Sequence, residues 1–268
     1  MDIITPLSTL NTPLLKERVG ICMLVLPAID IKDGNCVRLY RGDYSTVHKV
    51  ADSAVDTAKE FEKAGAEFMH MVDLDGAKDG KRVNSELILS VRKACDLKIE
   101  VGGGIRDMES IEFYLENGID RVILGSAAIR EPEFVKEAVK KYSSQIAVSI
   151  DALDGMVSAD GWTDTSEINY IELAKRMEDI GVKYIIFTDI SKDGMLSGPN
   201  LVMLDELKTV VKCNIIASGG VSNLKDILNL TALDIYGAIS GKAIYTGNLD
   251  LKRAIEVAKA ASQRKRGL

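Results

Sequence analysis

The stretch LPAID (Leu26 to Asp30) reads as a buried strand that ends in a carboxylate. A second stretch, AVSID (Ala147 to Asp151), repeats the pattern, with Asp151 standing 121 residues after Asp30. Each leads into a turn ending in Asp-Gly, Asp33-Gly34 and Asp154-Gly155. Two apolar strands that each deliver an aspartate at the C-terminal end would set two carboxylates across one cavity. Acid–base chemistry asks for that pairing, one group to give a proton and one to take it. A single aspartate at a strand end is as readily a helix cap or a turn former. A matched pair points to catalysis by Asp30 and Asp151. The residues leave open which one is protonated, since burial or a like charge nearby could raise either pKa.

Outward from these strands, short apolar runs alternate with stretches of helical period. Strands are expected near 24–30, 68–73, 98–102, 121–125, 145–151, 183–189, 213–218 and 235–240. Helices are expected near 52–64, 84–95, 107–117, 131–141, 166–180, 200–211, 222–231 and 249–264. The helix over 52–64 has Ala54, Ala58 and Phe61 on one face and stops at Gly65. The helix over 166–180 has Ile168, Ile171, Leu173, Ala174 and Met177. Eight β–α units in strict alternation predict an α/β fold, a (β/α)8 TIM barrel. An open doubly wound sheet is the alternative, and the missing GxGxxG argues against it.

The chain also repeats itself. Gly65 and Gly181, Asp73 and Asp189, and Asn84 and Asn200 are each 116 residues apart. The pairs Gly103-Gly104 and Gly219-Gly220, and Gly125 and Gly241, share that offset. The expectation is an internal half-barrel repeat, with halves of about 23–145 and 146–268 in a single barrel over 23–268. Neither half would stand alone, because each would leave two open sheet edges. Residues 1–22 are expected to be an N-terminal extension. They lack a basic start, a long apolar centre and a cleavage site, which argues against a signal peptide.

In such a barrel the site lies at the C-terminal ends of the strands. VGGGIRD (Val101 to Asp107) and ASGGVSN (Ala217 to Asn223) each sit between a strand and a helix. Glycines let backbone amides approach an anion, and a following helix N-terminus adds positive potential. LGSAA (Leu124 to Ala128) and SGKA (Ser240 to Ala243) would lie beside them. Two phosphate cradles result, one per half, where tight turns without a ligand are the plainer reading of either cluster alone. The expected substrate is a small molecule with a phosphate at each end and the two aspartates working at its middle.

Other side chains are candidates on placement. His70 shares the face of Val72, the repeat partner of Thr188, so it is expected to point inward near the mouth. Asp193, in the loop SKDG, is a second candidate acid that a moving loop could bring onto the substrate. Arg38 and Arg106 are candidate phosphate or base contacts. The only tryptophan, Trp162, sits in the polar loop SADGWTD. His48 looks solvent-facing, and no metal site is expected around the two histidines.

The chain of 268 residues carries a formal net charge of −6. That balance argues against nucleic acid or an anionic membrane as a main partner. A chain of this size buries roughly 70–75% of its unfolded surface, so its core needs no staples. Cys22, Cys36, Cys95 and Cys213 show no metal or redox spacing, which suits reduced thiols in cytoplasm.

Taken together, LPAIDIKDGNCVRLYRGDY, HMVDLDGAKDG, EVGGGIRD, SIDALDGMVSADGW, TDISKDGMLSGPN, ASGGVSN and GAISGKAIYTG resemble one family. It is the histidine-biosynthesis isomerase of phosphoribosylformimino aminoimidazole carboxamide ribotide (ProFAR). The resemblance runs from Met23 to the last helix. It implies an Amadori rearrangement, an aminoaldose becoming an aminoketose, with no metal or organic cofactor. It implies Asp30 as general base and Asp151 as general acid. Thr188 would help orient the substrate, and Trp162 would stack on its flat base. The phosphate-binding set expected here is Gly103, Gly104, Gly125, Ser126, Gly198, Ser218, Gly219, Gly220, Gly241 and Lys242. Asp164 stands where many relatives would carry glutamate. The sister cyclase of the same pathway shares the barrel and both aspartates but would begin with a PCLD-like strand; here the strand reads PAID. A dual-substrate isomerase that also handles phosphoribosyl anthranilate has the same motifs and stays open. A monomer is expected.

Overall fold

A computed structural model describes residues 22–40, 43–162 and 164–265. The barrel strands, numbered here in chain order as strands 1 to 8, are Leu24–Lys32, Phe68–Asp73, Lys98–Gly102, Arg121–Leu124, Ile146–Leu153, Tyr184–Asp189, Asn214–Ser218 and Gly237–Ser240. All pair in parallel with their neighbours, and strand 8 returns to strand 1 through Leu24↔Gly237 to Pro27↔Ser240. The expected (β/α)8 barrel is therefore closed.

Successive strand residues point to opposite faces, and in this fold both faces are buried. That is why the strands are continuous apolar runs. One face packs against the helices in a large cluster that includes Ile29, Met69, Ile99, Val122, Ile150 and Phe187. The other forms a smaller cluster inside the barrel, with Leu26, Ala28, Phe68, Ile123, Ala147, Ile186, Ile216 and Ile239. The outer helices follow the expected pattern. In Ala54–Lys63, Ser53 accepts the Asp56 N–H as N-cap, and Ala54, Thr57, Ala58 and Phe61 are buried.

Two hairpins escaped the sequence reading. Strand 1 runs through Asp33-Gly34 into Asn35–Tyr40 and Asp43–Ala51, and strand 5 runs through Asp154-Gly155 into Met156–Ala159 and Asp164–Asn169. Both turns hold positive φ at both central residues, 50° and 71°, then 51° and 82°. This is the Asp-Gly hairpin turn, whose twist matches that of its strands. The second hairpin corrects the helix expected over 166–180. Ser158 pairs with Thr165, so Ile168 belongs to a strand, and the helix is Tyr170–Asp179. Asn169 starts it by accepting the Ile171 N–H. Short helices Leu74–Asp79, Ala127–Arg130 and Lys242–Tyr245 were also unforeseen.

Two buried aspartates organise the loops after strands 2 and 6. Asp73 accepts from the backbone N–H groups of Gly76, Val83 and Asn84 and from Asn84 Nδ2. Asp189 accepts from Ser191 N and Oγ and from Asn200 Nδ2. Each carboxylate spans about one loop and satisfies polar groups that burial would otherwise strand. The extension expected over residues 1–22 lies, apart from Cys22, outside the described residues. Among the described residues no helix is long and apolar enough to cross a membrane.

Candidate active site

At the C-terminal ends of the strands lies a cavity of about 260 Å³. Asp30, His70, Asp151 and Thr188 reach it from strands 1, 2, 5 and 6, Arg38 from the first hairpin, and Arg106, Trp162 and Asp193 from the loops. Gly103, Gly104, Gly125 and Ser126 line one end, and Ser218, Gly219, Gly220, Gly241 and Lys242 the other. Gly198 is the exception. It does not line the cavity; its N–H donates to Gly220 O at 3.0 Å.

The glycines also serve the fold. A Cβ on Gly103 would strike the Asp73 carbonyl oxygen, and one on Gly220 would strike that of Gly198. Their φ values, 103° and 81°, lie in the left-handed region as well. So part of the glycine pattern is dictated by loops packed on loops, whatever binds above them. The helices that follow the glycine clusters are capped. The helix Met108–Glu116 spends its N-terminus on Asp107, and Leu224–Ala232 on Asn223 and Asp226 in a capping box. The Asp107 cap takes the N–H of Ser110, and the Asn223 cap those of Lys225 and Asp226. Ala127–Arg130 and Lys242–Tyr245 start at Ser126 and Gly241 without a side-chain cap.

The centre of the cavity is a cluster of charges. Arg38 forms an ion pair with Asp30 through Nη1 and donates to the Ala28 carbonyl from Nη2 at 2.6 Å. Its guanidinium lies over Gly241, which adds positive charge at that end. Asp151 accepts from the Ser149 hydroxyl at 2.8 Å. Asp193 is pushed up to about 6, chiefly by burial and then by the charge of Asp30, with Asp151 adding and Arg38 opposing. Lys242 donates to the Gly194 carbonyl at 2.7 Å and so ties the loop of Asp193 to the strand-8 end. Thr188 is buried beside Asp151 and Ser218 in the strand register.

Trp162 is half-buried at the cavity wall with φ 71°. A bulky residue held there carries strain of about 1–3 kcal/mol, of the kind found at functional loops. Its loop is fastened by Asp160, which the sequence reading missed. Asp160 pairs with Arg106 and Arg130, and its N–H donates to the Ser126 hydroxyl at 2.9 Å. Arg106 therefore faces a carboxylate as well as the cavity. Ser149 was missed too, although its place two residues before Asp151 put it on the same strand face.

Soaking crystals in phosphate or sulfate should place an anion at each end, one at Gly103, Gly104 and Ser126, the other at Gly219, Gly220 and Gly241. If no anion appears at either end, the two-cradle reading is wrong.

A closed parallel barrel with carboxylates gathered at the C-terminal ends of its strands defines a (β/α)8-barrel enzyme. The chain belongs to the histidine biosynthesis protein family, which matches residues 24–250. It is 52% identical to a protein of Clostridium novyi over 237 residues, 88% of this chain and 100% of that one. A Clostridium kluyveri protein is 53% identical over 235 residues, covering 88% and 99%. One from Clostridium botulinum is 48% identical over 242 residues, covering 90% and 100%. Each of these relatives is named 1-(5-phosphoribosyl)-5-((5-phosphoribosylamino)methylideneamino)imidazole-4-carboxamide isomerase.

Proposed function

We propose that the chain is the histidine-biosynthesis isomerase that converts the aminoaldose ProFAR into the aminoketose PRFAR. One observation carries this reading. Asp30 and Asp151 enter one cavity from strands 1 and 5, between two glycine-lined ends that suit a substrate with two phosphates. The names of the relatives agree with it. The PAID strand and the Trp162 loop favour it over the cyclase.

The rearrangement begins when an acid protonates the sugar ring oxygen as the C1–O bond breaks, giving an iminium. A base then removes the C2 proton, and the enol so formed becomes a ketone as C1 takes up a proton and the C2 hydroxyl gives up its own. Asp30 is the base and Asp151 the acid in this proposal. The cavity requires no group beyond its own side chains for these transfers. The raised pKa of Asp193 favours a second reading, in which Asp193 supplies the ring-opening proton. The enzyme is further proposed to be monomeric and cytoplasmic.

The test is turnover of ProFAR and of phosphoribosyl anthranilate in parallel. Conversion of ProFAR alone gives the single-substrate enzyme; conversion of both gives the dual-substrate one. Turnover of PRFAR with ammonia, and of neither other compound, would replace this reading with the cyclase.

A further inference from the structure

The lower part of the barrel interior is built from apolar and aromatic side chains around one buried ion pair. Glu100 on strand 3 is fully buried, and Arg121 at the start of strand 4 is 4% exposed. Arg121 Nη1 donates to Glu100 Oε2 at 2.9 Å. The guanidinium also stacks on aromatic rings, with Cζ 3.6 Å from the Tyr184 centroid and 4.7 Å from that of Phe68. Stability alone is a poor reason for such a pair. Well-packed apolar residues of the same volume often do as well or better, because both charges lose their hydration.

The pair reaches the cavity through one further contact. The second oxygen of Glu100, Oε1, lies 2.9 Å from His70 Nδ1. His70 stands beside Glu100 in the register of strands 2 and 3 and lines the cavity with Asp30 and Asp151. A carboxylate engaged by an arginine is ionised and can only accept. His70 Nδ1 must then carry a proton, and in the neutral ring Nε2 is left with a lone pair.

We infer that Glu100, held by Arg121, is a positioning residue that fixes His70 as its Nδ1–H tautomer. Nε2 then offers an acceptor to a hydroxyl of the sugar phosphate lying between Asp30 and Asp151. The inference rests on the proposed reading of this cavity as a sugar-phosphate isomerase site. The buried ion pair is its anchor: Arg121 holds Oε2 of Glu100 and so turns Oε1 toward the ring of His70.

Long-range proton–nitrogen spectra of the full chain test the tautomer without any turnover. The chain has two histidines, so His70→Asn assigns the signals. Nδ1 of His70 should be protonated and Nε2 unprotonated at a pH where the ring is neutral. Glu100→Gln should disturb that pattern. It should also lower kcat/KM by about 10–100-fold, the usual scale for removing a partner that orients a functional histidine. In the His70→Asn background the same change should add less than about twofold, because residues acting as a unit are not additive. Since Glu100→Gln leaves Arg121 unpaired, Glu100→Leu with Arg121→Met is the second variant. It should fold with a near wild-type Tm and still lose the tautomer and the same share of kcat/KM. A double variant with unchanged ring signals or full kcat/KM overturns the inference. So does an equal loss from Glu100→Gln with and without His70. If the wild-type chain turns over neither substrate, the proposed function fails, while the ring spectrum still decides the tautomer.

Discussion

Asp30→Asn should lower kcat by at least about 10²–10⁴-fold, the range a positioned acid or base contributes. KM should change far less, because both glycine-lined ends remain. Asparagine keeps the size of the side chain and removes only the titrating group. Arg38 keeps its bond to the Ala28 carbonyl, so the loop it anchors has a second hold. Asp151→Asn should cost a comparable factor, and the double variant should be little worse than the worse single one. An aspartate that merely formed a turn would behave otherwise. Its loss would cost about 0.5–2 kcal/mol of stability and spare turnover. Measuring Tm and kcat together separates the two. Near wild-type turnover in Asp30→Asn would end the assignment.

Asp193→Asn should stabilise the protein at pH 7–8 and do little near pH 4. The ordinary carboxyl value is 3.8, and in the fold Asp193 rises to about 6. The folded state therefore binds this proton more tightly than the unfolded chain does. Its contribution is fully present below about pH 4 and is lost as the pH rises through about 6. A shift of about two pH units corresponds to about 3 kcal/mol, an upper figure since the loop can relax. Asparagine imitates the protonated form and keeps that contribution at every pH. The difference in Tm between variant and wild type should thus grow from pH 4 to pH 7. It should shrink in an Asp30→Asn background, where the second cause of the shift is gone. A difference that does not change with pH would show that folding leaves the pKa of Asp193 unmoved.

The two predictions concern residues that the sequence presented unequally. Asp30 and Asp151 were visible because each ends an apolar run, and a strand's direction follows from its own residues. Asp193 was visible only as a turn residue that a loop could move. Its burial, and so its raised pKa, depends on where the strand-6 loop rests, and Lys242 holds that loop at Gly194, 48 positions away along the chain.

What the sequence determined by itself was the order of elements and the faces of the strands. Apolar runs of strand length, helical spacing and glycine stops are local, and eight alternating units leave few ways to close a sheet. The side chains at the mouth followed from period two along each strand. The Asp-Gly hairpins were equally local, and their signal was present at Asp33-Gly34 and Asp154-Gly155 but was read only as turns. Tertiary structure alone decided who pairs with whom. Arg38 on Asp30, Asp160 between Arg106 and Arg130, and Glu100 between Arg121 and His70 join residues on different strands and loops. The same holds for Gly198, which packs against the Gly220 backbone. A side chain's charge is written in the sequence. Its partner and its hydration are set by strand register and loop packing, and those decide whether that charge binds, titrates or only holds the fold.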